Sequence, residues 1–168
     1  KKRLWNCDFY LIKHRFFFLP AAFFLGSYLC SAKKIDTIVC QTPLTEGVVG
    51  VALKKLFRKE LIVEVHGDWR SMPFLSRKRM FEGGLKKIVP HIGRFTLGNA
   101  DKIRTLTNHF ARMIKEVVPA QRYFIFPTYT DIDYFLEEID TSFKKYILTV
   151  AVLSPIKNIE SLIDAFAR

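Results

Sequence analysis

Apolar and polar positions alternate along this chain on the length scale of single strands and helices. The apolar, β-branched run at residues 35–40 predicts a buried strand, and further strands are predicted at residues 61–65, 101–107 and 123–126. Stretches of helical length separate them, with helices predicted over residues 46–57 and 109–118. Strands and helices that alternate with short connections predict an α/β fold, with a Rossmann-like parallel sheet covered on both faces.

A longer helix is predicted between the second and third strands. Its apolar residues are spaced four and three apart, which places them on one helix face: Phe81, Leu85, Ile88, Ile92 and Phe95. Gly83, Gly84 and Pro90 are predicted to break or kink this helix. Thr45 is predicted to cap the helix over residues 46–57, with Glu46 at its positive end.

Residues 16–32 form an uncharged stretch that could be either a transmembrane helix or a buried helix. Basic residues flank it on both sides, but a spanning helix needs about 20 apolar residues, and Pro20 and Gly26 weaken the pattern further. The stretch therefore favours a buried helix of an α/β domain over a transmembrane span. A helix lying against a membrane surface is a third interpretation.

The last 23 residues predict the beginning of a second domain. Residues 146–167 show the pattern of a buried strand, a loop and an amphipathic helix, and one such unit cannot bury a core by itself. Residues 135–145 are polar and form the candidate linker. We therefore expect a Rossmann-like domain over residues 1–143, a truncated second Rossmann-like domain over 144–168, and a chain that is a fragment.

Composition narrows the class of partner. A net charge of +11 favours an anionic partner, and the positive excess is concentrated between residues 70 and 104. Aromatic residues cluster elsewhere, so a base-stacking platform for nucleic acid is poorly supported. Cys7, Cys30 and Cys40 have no CxxC spacing, which predicts buried thiols in a reducing compartment rather than a disulfide framework or a zinc site.

Candidate site residues lie where the predicted strands end, because ligands bind at the carboxyl ends of parallel strands. His66 follows the second strand, where an imidazole can donate a hydrogen bond or carry charge near neutral pH. Gly67 would let a ligand approach closely, and Asp68 is a cleft residue that can also start the next helix. Thr107 and Asn108 follow the third strand.

Lys157 is the candidate site residue of the second domain. It precedes a helix whose free backbone N–H groups are suited to a phosphate. A structural role for His66 and an ordinary surface role for Lys157 remain alternatives. No glycine-rich dinucleotide or P-loop motif, paired-histidine metal spacing or nucleophile elbow occurs in the sequence, so no cofactor and no metal site is predicted.

Several motifs in order resemble the family 4 (group 1) glycosyltransferases of the GT-B fold, over about residues 35–167. Residues 65–68 (VHGD) resemble that family's strand-end histidine loop, and residues 99–107 (NADKIRTLT) resemble its "nADkiitvS" strand. Residues 126–131 (FPTYTD) stand where the family has "iPNGVD". Residues 148–158 (LTVAVLSPIKN) stand where it has "fvGRLspeKG", and residues 162–166 (LIDAF) resemble "LieAf".

This resemblance implies an acceptor domain followed by the start of a donor domain. The family transfers a sugar from a nucleoside diphosphate donor to a glycan or lipid-linked acceptor with retention of configuration, usually without a metal. His66 would reach the donor sugar, and Lys157 would bind the donor diphosphate across a shared crevice. The resemblance also implies a cytoplasmic protein in peripheral contact with the anionic inner face of a membrane, with no nucleic acid partner expected.

The chain departs from the family pattern at several positions. Val152 replaces the phosphate-binding arginine, and Ala151 and Asn158 replace glycines. The donor-binding Glu-x7-Glu motif does not occur, so we expect these 168 residues alone to transfer no sugar. The alternative hypothesis is a non-catalytic basic α/β module that docks on an anionic membrane or nucleic acid.

Overall fold

A computed structural model describes residues 2–4, 7–12, 17–33, 35–71, 82–128, 149–150 and 157–167. Contacts divide the chain into two compact units, Lys1–Tyr129 and Thr130–Arg168. In chain order, the elements are β1 (Lys2–Leu4), β2 (Cys7–Phe9), α1 (Phe18–Ala32), β3 (Thr37–Cys40), α2 (Thr45–Phe57), β4 (Glu60–Val65), a 3-10 turn (Trp69–Ser71), α3 (Glu82–Asn99), β5 (Lys102–Thr105), α4 (Asn108–Val117), β6 (Tyr123–Ile125) and α5 (Ile159–Phe166).

The first unit is built on a four-stranded parallel sheet in the order β3-β4-β5-β6. The α/β class and the parallel sheet predicted from the sequence are therefore confirmed, and the sheet is compatible with a Rossmann-like fold. An antiparallel pair formed by β1 and β2 precedes it. Sequence patterning did not predict this pair, because three-residue strands are too short to show an alternation.

One face of the sheet carries the core of the first unit. Alternate residues of β4 and β5 point into this core and are almost completely buried: Leu61, Val63, Val65 and Ile103. Side chains of α2, α3 and α4 join the same cluster, among them Val51, Leu97 and Ile114. Burying a large aliphatic side chain contributes about 1.5–3 kcal/mol, so this face accounts for much of the unit's stability.

The opposite face of the sheet is only partly covered in the described part of the first unit: Glu64 on this face is 8% exposed, but other positions are open. Val39 on this face is 55% exposed, and its register partner Ile62 is only partly buried. The prediction of a sheet covered on both faces is therefore wrong for these residues. Strands in sequential order joined by right-handed crossovers place every connecting helix on the same side of the sheet, which explains the difference.

Helix α1 is present where the uncharged stretch predicted a helix, but it is not buried. Cys30 is its one buried residue, and Phe24 and Tyr28 are 71% and 62% exposed. The helix packs mainly on α2, where Gly26 faces Leu53. The prediction of a buried helix, which was based on the apolar composition of this stretch, is therefore wrong. Among the helices that the structure describes, none combines the length and apolarity needed to cross a bilayer.

The predicted cap of α2 and the predicted break in α3 at Pro90 are wrong, whereas a kink at Pro90 stays a prediction. Thr45 is the first residue of α2 rather than its cap, and the Thr42 hydroxyl instead donates a 2.5 Å hydrogen bond to the Glu46 carboxylate. Helix α3 continues through Pro90. A proline inside a helix costs about 3 kcal/mol, which the burial of the same helix against the core outweighs. Gly83 and Gly84 lie within the described part of the same helix.

All three cysteines are free, and two are buried as predicted. Cys30 and Cys40 are buried, whereas Cys7 is exposed. Burial, with the nearby charge of Glu46, raises the pKa of the Cys40 thiol to about 11, although a backbone hydrogen bond from Gly50 opposes this shift. Cys40 therefore stays a neutral thiol near neutral pH and donates to the Glu46 carbonyl oxygen.

In the second unit the structure describes residues 149–150 and 157–167. Helix α5 spans Ile159–Phe166, as the terminal helical pattern predicted. The strand predicted before it lies mostly outside the described residues, as do Ala151, Val152 and the candidate linker.

Candidate functional site

His66 lies immediately after β4, at the carboxyl edge of the sheet where the sequence placed it. Its side chain is 44% exposed, and its Nε2 atom lies 2.9 Å from Oε2 of Glu64. Because a carboxylate oxygen only accepts, Nε2 carries the proton in this contact. In neutral His66 the other ring nitrogen, Nδ1, is then an acceptor for a ligand hydroxyl group. In protonated His66, Nδ1 is a donor.

Glu64 is a buried carboxylate that joins His66 to Arg104. It is 8% exposed, and its second oxygen, Oε1, accepts a 2.5 Å hydrogen bond from the Arg104 guanidinium. Glu64 and Arg104 are register partners on β4 and β5, so the sheet itself sets their separation. Arg104 in turn donates to the carbonyl oxygen of Phe126 and lies over its ring at 5.0 Å. We call His66, Glu64 and Arg104 the edge triad.

The charge state of Glu64 follows from these contacts. Burial alone would raise the pKa of its carboxyl, but the hydrogen bonds and charges of Arg104 and His66 outweigh burial and lower the pKa below its ordinary value. Glu64 is therefore an anion near neutral pH. An anionic carboxylate on one side of the imidazole fixes the orientation of the ring.

The loop after His66 is anchored at its far end and open at Gly67. An added Cβ at Gly67 would meet no heavy atom within 4 Å, and no glycine in the described chain has a positive φ. Neither packing nor the backbone therefore requires glycine at this position. The Asp68 carboxylate accepts from the backbone N–H of Arg70 at 3.0 Å and so starts the 3-10 turn, the role that the sequence left open.

Trp69 fixes this loop to the body of the first unit. Its side chain is 1% exposed and lies directly against Gly93 of α3, leaving no room for a Cβ there. Packing of the indole ring against α3 thus holds in place the segment that follows His66.

Thr107 and Asn108 lie at the same edge of the sheet, after the neighbouring strand β5. Thr107 caps α4, since its hydroxyl accepts from the backbone N–H of Phe110 at 3.4 Å. Asn108 is the first residue of that helix and is exposed. Register pairing of Val65 with Thr105 brings the two strand ends side by side. The structure therefore assigns Thr107 a local structural role and leaves Asn108 open to a ligand.

Lys157 lies in the second unit, exposed and two residues before α5. Asn158 between them has a left-handed backbone, with φ 49° and ψ 41°. The prediction that Lys157 precedes a helix is confirmed. Its predicted convergence with His66 stays a prediction. Across the residues that the structure describes, no three His, Cys, Asp or Glu side chains are grouped so as to hold a metal ion.

Sequence reasoning missed Glu64 and Arg104, although the sequence carries a signal for both. Glu64 lies inside the apolar run of residues 61–65, Arg104 lies between Ile103 and Thr105 in the next strand, and buried charges are almost always paired. Two opposite charges in consecutive strands of a parallel sheet therefore indicate an ion pair. Which residues are opposite depends on the register, which the sequence does not show.

Comparison of the chain with protein-family models gives no match, and comparison with curated protein sequences gives no significant match. The geometry of the first unit defines the class of domain: a parallel α/β domain with an oriented, accessible imidazole at the carboxyl edge of its sheet.

Proposed function

We propose that this chain is part of a retaining GT-B glycosyltransferase that resembles family 4. It contributes the acceptor domain and the beginning of the donor domain, and the parent enzyme moves a sugar from a nucleoside diphosphate to a glycan or lipid-linked acceptor. The edge triad is the observation that carries this proposal. A strand-tip imidazole held by a buried ion pair, beside an open glycine, is suited to binding a sugar hydroxyl group.

The role of His66 in this proposal is to bind the donor sugar. The imidazole is held through Nε2, so Nδ1 is left to accept from or donate to a sugar hydroxyl. Because the Glu64 carboxylate fixes the ring, little side-chain entropy is lost when the sugar binds. Interactions that strengthen as the glycosidic bond breaks raise kcat as well as lowering KM.

The role of Lys157 is to offset the charge that develops on the departing diphosphate. A lysine at a helix start adds a point charge to the free N–H groups of α5. The left-handed backbone of Asn158 supports the motif resemblance independently, because such a position favours glycine, the residue that the family has there.

Substitution of His66 in the intact enzyme that contains this chain tests the proposal. We expect His66→Ala to lower kcat/KM for sugar transfer about 100-fold or more, the usual effect of removing one hydrogen bond made in the transition state. His91 is exposed on α3, so His91→Ala is the matched control and should retain activity. Lys157→Ala should raise the donor KM and lower kcat, with Lys87→Ala as control. Full transfer activity in both the His66 and the Lys157 variants would refute the assignment.

Gly67→Ala separates a ligand site from a structural loop. Because the added methyl group meets open space, the free energy of unfolding should change by less than about 1 kcal/mol. If a sugar approaches this backbone, the same methyl group should lower kcat/KM about tenfold or more. An unchanged kcat/KM would show that no ligand comes close to Gly67.

Helix α1 favours a second candidate function, a module that docks on an anionic membrane without catalysis. Its exposed aromatic residues Phe24 and Tyr28 form an apolar surface, and the chain carries a net charge of +11. Vesicle binding by the 168-residue chain that Phe24→Ser weakens and His66→Ala leaves unchanged would support docking. Absence of binding to anionic vesicles at low salt would exclude it.

A further inference from the structure

A basic depression lies at the amino edge of the sheet, the edge opposite the edge triad. It has a volume of about 910 Å³ and is formed by the end of α2, the starts of β4 and β5, and the turn before β6. Its charged lining residues are Lys54, Lys55, Arg58, Lys59, Glu60, Asp101, Lys102 and Arg122. Six cations against two carboxylates leave an excess of four positive charges. We call this site the amino-edge basin.

Both carboxylates of the basin already have cationic partners. Asp101 lies 2.7 Å from the Lys54 ammonium and also accepts from the backbone N–H of Leu61. Glu60 lies 2.7 Å from the Lys102 ammonium. Each carboxylate thus neutralises one lysine and is held in place by it. Their pairing leaves the rest of the positive charge in the basin uncompensated.

Four cations of the basin have no carboxylate within 4 Å among the residues that the structure describes. Lys55 lies over the Phe95 ring at 5.6 Å, a contact that leaves its charge in place. Arg58 and Arg122 are exposed, and Lys59 is partly buried. Like charges gathered in one concave surface repel one another, so a bound anion would relieve a cost that the free protein bears.

The backbone of Arg58 gives a second indication that the charge has a role. Arg58 caps the end of α2 in a left-handed conformation, with φ 53° and ψ 43°. Glycine or asparagine normally occupies such a position, and another residue there costs about 1 kcal/mol or more. Lysines in the last turn of α2 already complement the helix dipole. The dipole therefore does not explain why an arginine stands at the strained position.

We propose that the amino-edge basin binds a small molecule that carries two or more phosphate groups. Arginine matches phosphate oxygens with two parallel hydrogen bonds, and two arginines and two lysines match the charge of two phosphate groups. The volume lies within the range of about 300–1,000 Å³ that small-molecule sites occupy. This site is separate from the proposed donor site, because it contains neither His66 nor Lys157.

Titration of the 168-residue chain with tripolyphosphate, measured by calorimetry and by amide NMR shifts, tests the proposal. We expect saturable binding that is tighter than binding of orthophosphate and weakens as salt rises. The shifted amides should lie in residues 54–60, 100–102 and 120–122. Shifts confined to other segments would overturn the assignment.

Paired variants of equal charge make the test specific to this site. Arg58→Gln/Arg122→Gln should raise the Kd for tripolyphosphate at least tenfold, the loss expected for charged hydrogen bonds. Arg94→Gln/Arg112→Gln removes the same charge from exposed helix positions and should change the Kd less than threefold. An equal effect of the two pairs would show that net charge alone drives binding and would overturn the proposal.

Arg58→Gly controls for weak binding that results from misfolding, because glycine readily adopts the left-handed conformation at this position. The variant should unfold at the same or a higher urea concentration than the wild type, yet bind tripolyphosphate more weakly. Unchanged binding by this stable variant would remove Arg58 from the site.

Vesicles containing a phosphatidylinositol bisphosphate, whose headgroup carries more than one phosphate group, identify the source of the phosphate groups. Co-sedimentation that Arg58→Gln/Arg122→Gln abolishes and tripolyphosphate inhibits would identify a lipid headgroup. Tripolyphosphate binding without vesicle binding would identify a soluble ligand. Absence of binding in both experiments would overturn the proposal. In the intact enzyme that contains this chain, transfer activity lost in His66→Ala while tripolyphosphate binding persists would show that the two sites are independent.

Discussion

The Glu64–Arg104 pair leads to the most quantitative prediction. The two side chains are 11% and 18% exposed, and their charged groups are in direct contact. Two unit charges about 4 Å apart interact by about 4 kcal/mol at an effective dielectric constant of about 20. Desolvation of both groups offsets part of this attraction. We therefore expect a net coupling energy of about 2 kcal/mol, above the 0.2–1 kcal/mol or so of exposed pairs.

A double-mutant cycle measures this coupling energy. Glu64→Gln and Arg104→Met are made singly and together, and the free energy of unfolding is obtained from urea titrations of the 168-residue chain at pH 7. Glu64→Gln alone should destabilise by about 2–3 kcal/mol, because it leaves the guanidinium without its counter-ion. The double variant should be about 2 kcal/mol more stable than the sum of the single effects predicts.

The Glu60–Lys102 pair is the matched control. It joins the same two strands on the same face of the sheet, but its side chains are 36% and 48% exposed. Its coupling energy should be smaller and should decrease further in 0.5 M salt, because exposed charges are screened. A Glu64–Arg104 coupling no larger than that of the control would refute the reasoning from burial.

The pH dependence of the same cycle provides an independent check. The pKa of Glu64 is lowered in the folded chain, relative to an ordinary value of 4.5. Its contribution to stability is therefore fully present above about pH 4.5 and is lost as the pH falls through the folded pKa. The stabilities of wild type and Glu64→Gln should converge in acid. A difference that is constant from pH 7 to pH 4 and below would contradict the assigned cause.

Three further predictions follow from packing and burial. Gly93→Ala should destabilise by about 1–3 kcal/mol, because its methyl group overlaps the Trp69 indole, and thermal unfolding measures the loss. Cys7 should react with a thiol reagent at pH 8 while Cys40 does not, because the thiolate of Cys40 forms only near pH 11. Mass spectrometry of the labelled chain measures this, and labelling of Cys40 before Cys7 would contradict the prediction. Thr107→Ala should cost about 0.5–1 kcal/mol through loss of the α4 cap, and Thr107→Ser should retain most of that stability in urea titrations.

Local patterning determined where the main elements of the first unit lie. The predicted helix over residues 46–57 became Thr45–Phe57, and the predicted strand over residues 61–65 became Glu60–Val65. The period of the apolar residues and the share of β-branched residues are properties of neighbouring residues, so the sequence alone shows them. His66 was placed correctly for the same reason, because it directly follows an apolar run.

Contacts between distant residues decided the remainder. Helix α3 passes through Pro90 because packing against the core outweighs the lost hydrogen bond, and α1 stays exposed although its sequence is apolar. The edge triad and the amino-edge basin depend on which strands are neighbours and in what register, since Glu64 and Arg104 are 40 residues apart in the chain. A sequence states which charges exist, but only the register of the sheet places two of them within hydrogen-bonding distance.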